Sequence, residues 1–289
     1  MNRYLTMIVS VAFLFIACES ADDNVQQPED GAVVLVTRAE EGENASPVDA
    51  GLFMVVYNGE KKGFLQEDLN YVNNLLLRFS DNSWSLSEPI YWPDSETKCD
   101  FYAYAPYREN VENAKKMLFR IECDQSSDEN LAKSDFLWGT LQDRTPTASG
   151  LDLRLSHMFS KLTVLVAGES GFKISNDDVS VSIGGTYNSA IIDLESGMVT
   201  PAGEKNDVLC NNSGNLEYTA ILVPQQLAYC DFIKIDWMGM QYVLQTAMKL
   251  SPNKKYTLTV KLKKTESGFD VGIDGWDIVD EDFGGTVGG

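Results

Sequence analysis

Short runs in which apolar and polar residues alternate make up most of the chain, and they predict β-strands rather than helices. In residues 256–263 (YTLTVKLK) the apolar side chains fall on one face and Thr and Lys on the other. This alternation is typical of a half-buried antiparallel strand. Similar runs recur from residue 31 to residue 263 with Gly, Pro or Asn between them. The pattern predicts an all-β protein built from β-sandwiches.

One stretch, residues 107–116 (YRENVENAKK), predicts either a short helix or a polar loop. A polar break with Pro and Gly at 141–151 divides the strand runs, and 289 residues are enough for two domains. We therefore expect an N-terminal β-sandwich domain at 31–148 and a C-terminal one at 149–264. Residues 265–289 form a glycine-rich, acidic tail after the last strand run.

The first residues have the pattern of an export signal. Residues 1–17 are one apolar run behind a basic residue, too short to span a membrane but typical of a signal peptide. The run ends at Cys18 and resembles a bacterial lipobox, in which the cysteine receives palmitate-type acyl chains and becomes the mature N-terminus. Three residues before the cysteine, where a lipobox usually has Leu, this chain has Phe15. An ordinary signal peptide that happens to contain Cys18 is the alternative. Residues 18–30 are small, polar and acidic, and we expect a tether there.

Composition and motifs narrow the function classes. The formal charge of −20 argues against nucleic acid and against docking on an anionic membrane by a basic face. The motifs GxSxG, HExxH, GxGxxG and the P-loop do not occur in the sequence. His157 lies between Leu155 and Phe159 in an alternating run, which favours core packing over catalysis. We expect no enzyme, no cofactor and no metal site.

The cysteine count changes once Cys18 is set aside, because an odd total of five becomes four. In an oxidising envelope, disulfides Cys99–Cys123 and Cys210–Cys230 are one hypothesis. Four free, buried thiols are the other. A CxxC or CxxH spacing does not occur, which argues against a zinc site.

Aromatic residues gather in the segments SEPIYWP (87–93) and CDFYAYAPY (99–107). They either fill a sandwich core or form an exposed platform that stacks on sugars, and core packing is the more common role. The residues concerned are Tyr91, Trp92, Phe101, Tyr102, Tyr104 and Tyr107.

The run at 32–37 (AVVLVT) ends at an unusual residue. It includes Val33, Val34, Leu35 and Val36 and is rich in β-branched residues, so it predicts a strand. Strands are usually bounded by Gly, Pro, Asn or Asp. Here the sequence predicts that the strand ends at the basic residue Arg38, after which the chain turns acidic.

Several spaced motifs together resemble the fimbrillin-like family of surface lipoproteins, the subunits of type V pili. The resemblance runs from about residue 31 to the end, and its most specific element is HMFSKLTV after the SDFLWGT segment. Its motifs are YWP at 91–93, DFYAYAP at 100–106, DQSSDENLAKSDFLWGT at 124–140, LRLSHMFSKLTVLV at 153–166, GGTYNSAIIDLESGMVT at 184–200, ILVPQQL at 221–227 and KKYTLTVKL at 254–262.

The resemblance implies two tandem transthyretin-like β-sandwich domains and assembly by donor-strand exchange. In this family a trypsin-like, Arg-specific protease cuts after an Arg that follows the first strand. Here that cut is expected between Arg38 and Ala39, so that the lipid and the strand carrying Val33–Val36 leave together. An exposed, unprocessed loop residue is the alternative for Arg38.

A strand from a neighbouring subunit fills the opened groove in this family. The tail offers alternating apolar residues for that role, and a disordered tail is the alternative. The candidate donor residues are Phe269, Val271, Ile273, Trp276 and Ile278.

The expected function is a structural, tip or accessory subunit of a bacterial surface fimbria that supports adhesion. Its expected partners are other fimbrial subunits, the protease and, before processing, the outer membrane through the lipid. Two alternatives stay open: a monomeric outer-membrane lipoprotein that binds glycans, and an uncleaved fimbrial anchor subunit.

Overall fold

The computed structural model describes residues 31–39, 48–66, 70–168, 173–265, 268–271 and 279–282. Almost all regular structure in these residues is β, which confirms the all-β expectation. The strands of the first half are β1 Leu35–Ala39, β2 Ala50–Val56, β3 Val72–Ser80, β4 Ser83–Leu86, β5 Cys99–Ala105, β6 Met117–Arg120, β7 Leu137–Arg144, β8 Leu151–His157 and β9 Ser160–Gly168. Those of the second half are β10 Val179–Asp193, β11 Met198–Leu209, β12 Asn211–Gly214, β13 Glu217–Leu222, β14 Gln225–Trp237, β15 Met240–Leu250, β16 Lys254–Thr265, β17 Gly268–Val271 and β18 Val279–Asp282.

Seven of these strands form a closed barrel in the order β1-β4-β3-β2-β5-β7-β8. Every pairing in the barrel is antiparallel except that of β1 with β8, which is parallel. Alternate residues point inward, so that Leu52, Leu77, Phe101 and Leu153 share one apolar core. The barrel therefore owes its closure to its N-terminal strand.

The other strands form two sheets that share a second core. One sheet has the order β11-β10-β14-β15, with β6 added on β10, and the other has the order β12-β13-β9-β16-β17, with β18 added on β16. Val164, Ile183, Ile235 and Leu258 come from both sheets and belong to the same buried cluster. This is the face-to-face packing of a β-sandwich.

The barrel and the sandwich meet through aromatic side chains. On β5, Phe101 faces the barrel core, whereas Tyr102 and Tyr104 belong to the sandwich cluster. The ring of Phe136 lies 6.1 Å from that of Tyr104 and 4.9 Å from that of Phe119. Because both faces of β5 are covered, all of its residues are buried.

Two strands do not belong to the domain in which the expected division at 148/149 would place them. β8 follows that point but closes the barrel, and β6 precedes it but pairs with β10 of the sandwich. The side-chain amide of Gln125 also crosses it, since it bonds to the backbone of Ile221 on β13. The division into domains stays a prediction.

The sequence leaves a short helix and a polar loop open for residues 107–116, and it predicts neither the helix nor two of the strands described next. Residues 107–116 are a loop, and the helix α1 is Asp128–Ser134, whose first turn is capped by the Ser127 hydroxyl and carries Asp128 and Glu129. The alternation in β11 and β12 is hidden by their polar residues and by Pro201, so the sequence does not predict these strands. They form because their backbones pair with β10 and β13.

Candidate functional site

The first strand, β1, lies between two strands that come from distant parts of the sequence. On one side Thr37 is paired antiparallel with Trp84 of β4. On the other side Leu35 is paired parallel with Leu151 of β8, and this pairing continues to Ala39. The space that β1 fills between β4 and β8 is called here the first-strand groove.

The residues just before β1 are also held by backbone hydrogen bonds. The Val33 amide donates to the Ile90 carbonyl at 2.9 Å, and the Leu151 amide donates to the Val34 carbonyl at 2.8 Å. Ala32 forms a bridge with Tyr91. The segment from residue 31 to Ala39 is therefore one extended element held in the barrel wall by backbone hydrogen bonds.

Side chains of this element alternate between the barrel interior and its surface. Val33 and Thr37 are 4% and 3% exposed, and Leu35 packs against the same core. Val36 is 40% exposed. A Cβ atom at Gly150 would lie 2.9 Å from Val36 Cγ2, so glycine leaves room for that side chain. A replacement strand would have to reproduce this alternation.

The expectation that the strand ends at Arg38 is wrong. Arg38 and Ala39 are the last residues of β1, and Arg38 is paired with Ser83 of β4 and with Arg154 of β8. The physical reason is that two neighbouring strands supply hydrogen-bond partners, which a local sequence pattern does not register. The bond between Arg38 and Ala39 therefore lies at the end of β1, where Arg38 is paired on both sides and Ala39 is paired with Leu155 of β8.

Part of the candidate donor segment is described, and its backbone lies along the outer edge of β16. In β17, Phe269 is paired antiparallel with Lys264 and Val271 with Leu262. β18 is paired with the beginning of the same strand, Val279 with Thr257. Ile273, Trp276 and Ile278 lie outside the described residues, as do Cys18, the signal peptide and the tether.

The aromatic cluster lies mostly in the interior. Trp92 is 7% exposed and makes an edge-to-face contact with Phe101, with ring centroids 5.6 Å apart. Tyr102 and Tyr104 are buried, whereas Tyr91 is 37% exposed. An aromatic platform for sugars would need exposed ring faces, so this arrangement favours core packing.

A buried carboxylate ties the β2–β5–β7 wall of the barrel together. Asp100 is fully buried and accepts hydrogen bonds from the hydroxyls of Tyr57 and Tyr102 and from the Asp143 amide. Lys62 Nζ lies 3.5 Å from its Oδ2 atom. The pKa of Tyr57 is raised to about 12, mainly because its hydroxyl is desolvated and secondly because of its hydrogen bond to Asp100.

The structure has Cys99, Cys123, Cys210 and Cys230 as free cysteines, so neither hypothesised disulfide is formed in it. Cys99 belongs to the barrel core, while Cys123 Sγ lies 3.3 Å from Nδ2 of Asn188 on β10. Burial raises the pKa of Cys99 to about 12 and raises the pKa of Cys210 further still. These two buried thiols are unreactive by this criterion.

His157 is 8% exposed, and its Nδ1 atom lies 2.8 Å from an Asp135 oxygen. The pair joins the end of β8 to the residue that follows α1. The described residues hold no group of three or more His, Cys, Asp or Glu side chains that could bind a metal ion. In the described part of the chain, no helix has the length and apolarity needed to cross a membrane.

Comparison with known families gives one match. The family model described as fimbrillin-like matches residues 37–276. A comparison with curated protein sequences gave no significant match. The matched range includes most of the barrel and all of the described sandwich up to β17.

Solved structures with the same fold come from Bacteroides. A proposed cell adhesion protein from Bacteroides uniformis aligns with a TM-score of 0.63 and 19% identity, over 89% of this chain and 100% of that chain. One from Bacteroides ovatus has a TM-score of 0.62 and 12% identity, over 86% and 96%. A fimbrial protein from Bacteroides vulgatus has a TM-score of 0.55 and 13% identity, over 88% and 99%. At these identities the likeness concerns the fold.

Proposed function

Since the chain belongs to the fimbrillin-like family, we propose that it is a structural, tip or accessory subunit of a bacterial surface fimbria. It is exported as a lipoprotein acylated on Cys18 and carried to the outer membrane. A trypsin-like, Arg-specific protease cuts between Arg38 and Ala39. The subunit then joins its neighbours by donor-strand exchange and supports cell adhesion.

The observation that carries this proposal is the place of β1 in the barrel. Its loss would expose the backbone edges of β4 and β8 together with the apolar positions now filled by Val33 and Leu35. Such an edge pairs readily with an extended strand, whose backbone gives affinity and whose alternate side chains give specificity. The first-strand groove is thus suited to a donor strand.

The tail is the proposed donor. Phe269 and Val271 are in β17 and already pair as a strand at an outer sheet edge, so the segment has the extended form that the groove requires. Ile273, Trp276 and Ile278 continue its apolar pattern. Exchange would replace pairing with β16 by pairing between β4 and β8 of another subunit.

Two alternatives remain distinct from this proposal. A monomeric glycan-binding lipoprotein is less well supported, because Trp92, Tyr102 and Tyr104 are buried. An anchor subunit would keep its lipid and its β1 strand, and would differ from a polymerising subunit only in the fate of Arg38.

The test compares wild-type protein with Arg38→Ala in the producing cell. Arg144→Ala is the matched control, because Arg144 is an exposed residue at the end of β7. We expect wild type and Arg144→Ala to yield surface polymers whose subunits begin at Ala39. We expect Arg38→Ala to remain a monomer that begins at acylated Cys18.

Two results would overturn the proposal. Polymers of normal length from Arg38→Ala would show that this cut is not needed for assembly. Wild-type protein that stays uncut and lipidated would favour the anchor subunit if fibres of other subunits are attached to it, and the glycan-binding monomer if they are not.

A further inference from the structure

A cleft of about 420 Å³ lies between the loop at 107–116 and β6, away from the first-strand groove. Its charged lining residues are Arg108, Lys116 and Arg120, with Glu112 as the one acid among them. The chain as a whole carries 43 acidic and 23 basic residues. A cleft with a positive balance is therefore contrary to the charge of the rest of the molecule.

Several other cations of the described chain form ion pairs with a nearby carboxylate, whereas the three basic residues of the cleft do not. Lys98, Lys115, Lys133 and Lys234 lie 2.5–3.0 Å from an acidic oxygen. Arg108, Lys116 and Arg120 form no ion pair with a described residue. Their charge is thus available to an anionic ligand.

One wall of the cleft is an open strand edge. Among the described strands, β6 is paired with β10 alone. The Ile121 amide donates to the Asn188 carbonyl at 3.0 Å, so Ile121 and Asn188 are a hydrogen-bonded pair of this antiparallel ladder. Because hydrogen-bonded pairs alternate along such a ladder, the backbone groups of Leu118 and Arg120 point to the open side.

The same edge presents apolar surface. Leu118 is 56% exposed and is paired with Ile191 of β10, which is 42% exposed. Met117 and Phe119, the residues on either side of Leu118, are buried in the sandwich core. A strand docked on this edge would place alternate side chains beside Leu118 and the cations of the cleft.

We propose that the β6 edge and its cleft bind an extended, acidic segment of a partner protein by adding it as a strand to the sandwich sheet. Leu118 and Arg120 supply backbone hydrogen bonds, and Arg108, Lys116 and Arg120 select carboxylates. An anionic polysaccharide would use the cations but would not match the regular spacing of the free backbone groups along a strand edge, so the geometry favours a peptide.

The experiment measures binding of a labelled peptide with alternating Glu and Val residues to the full, uncut chain. The same peptide with Gln in place of Glu is the ligand control. Lys116→Gln/Arg120→Gln removes two charges from the cleft, and Lys61→Gln/Lys249→Gln removes two exposed charges elsewhere. Leu118→Asn tests the apolar contact, and polygalacturonate serves as the polysaccharide probe.

We expect the Glu–Val peptide to bind and the Gln–Val peptide to bind much more weakly, with affinity falling as salt rises. The cleft double variant should lose roughly tenfold in affinity, from two ionic contacts of about 0.7 kcal/mol each. Leu118→Asn should weaken the peptide several-fold, and the remote double variant should bind as wild type does.

Three results would overturn the proposal: no binding of the Glu–Val peptide, equal losses in the two double variants, or tight binding of polygalacturonate that Leu118→Asn leaves unchanged. The last would assign the cleft to an anionic glycan. Since β1 stays in place throughout, failure here would leave the proposed processing at Arg38 untouched, and the reverse also holds.

Discussion

The hydroxyl of Thr37 on β1 donates a hydrogen bond to the backbone carbonyl of Trp84 on β4, inside the barrel. The two residues are 47 positions apart in sequence and directly opposite in register. Thr37 is thus a polar group in an apolar interior that is satisfied by its neighbour strand. This bond ties the strand that processing would remove to the wall that would remain.

Replacing Thr37 by Val should therefore weaken the hold of β1. The change keeps the side-chain shape and removes one buried hydrogen bond, which costs about 1 kcal/mol in the free energy of unfolding. Urea denaturation measures it. Thr200→Val is the control, since Thr200 is exposed on β11 and should change stability by less than about 0.5 kcal/mol.

Cleavage at Arg38 should depend on opening of β1. A protease binds its substrate as an extended chain, whereas here Arg38 is paired on both sides and Ala39 is paired with β8. Limited trypsin digestion of Thr37→Val should cut there about fivefold faster than in wild type, because a loss of about 1 kcal/mol raises the open population by that factor. Equal rates would mean that Arg38 is accessible without opening.

The buried amide of Gln125 should be a strong stability determinant. Its side chain is fully buried and bonds both the amide and the carbonyl of Ile221. Gln125→Leu would leave both backbone groups without a partner, at a cost of about 2–4 kcal/mol. Denaturant unfolding measures this loss, with exposed Gln241→Leu as the control. A loss below about 0.5 kcal/mol would contradict the role assigned to this amide.

The raised pKa of Tyr57 predicts that the folded chain loses stability at alkaline pH. Its pKa is raised to about 12 in the folded chain from an ordinary value of 10, so the unfolded chain releases its proton first. The contribution is present below pH 10 and is lost as pH rises towards 12. Melting temperatures between pH 8 and 12 should show the fall, and Tyr57→Phe should show a smaller one.

The control for this prediction is Tyr229→Phe, because Tyr229 is 71% exposed. It should follow the wild-type curve. If the Tyr57→Phe and wild-type curves fall equally, the buried contact with Asp100 makes no contribution to the pH dependence.

The free cysteines can be tested by thiol labelling of a Cys18→Ser chain at pH 8. Cys99 and Cys210 are buried with raised pKa values and should react only after unfolding. Cys123 and Cys230 are partly exposed and should react first. An intact mass smaller by the hydrogens of a disulfide, before any reductant is added, would restore the Cys99–Cys123 or Cys210–Cys230 hypothesis.

The sequence alone predicted much of the strand content, because alternation records which side chains turn inward. Tyr256, Leu258, Val260 and Leu262 were expected on one face, and all four are buried. The spaced motifs also indicated the family, which the match over residues 37–276 confirms. Strand alternation is a property of neighbouring residues, and the family motifs are short local segments that follow one another in a fixed order along the chain.

Tertiary structure decided what depends on the meeting of distant backbone edges. β1 continues through Arg38 because Ser83 and Arg154 lie beside it, and β11 is a strand because β10 pairs with it. The cleft beside β6 likewise exists only because β6 joins β10. Alternation fixes the face on which a side chain lies, whereas hydrogen-bond partners from remote residues fix where a strand ends and which edges stay open.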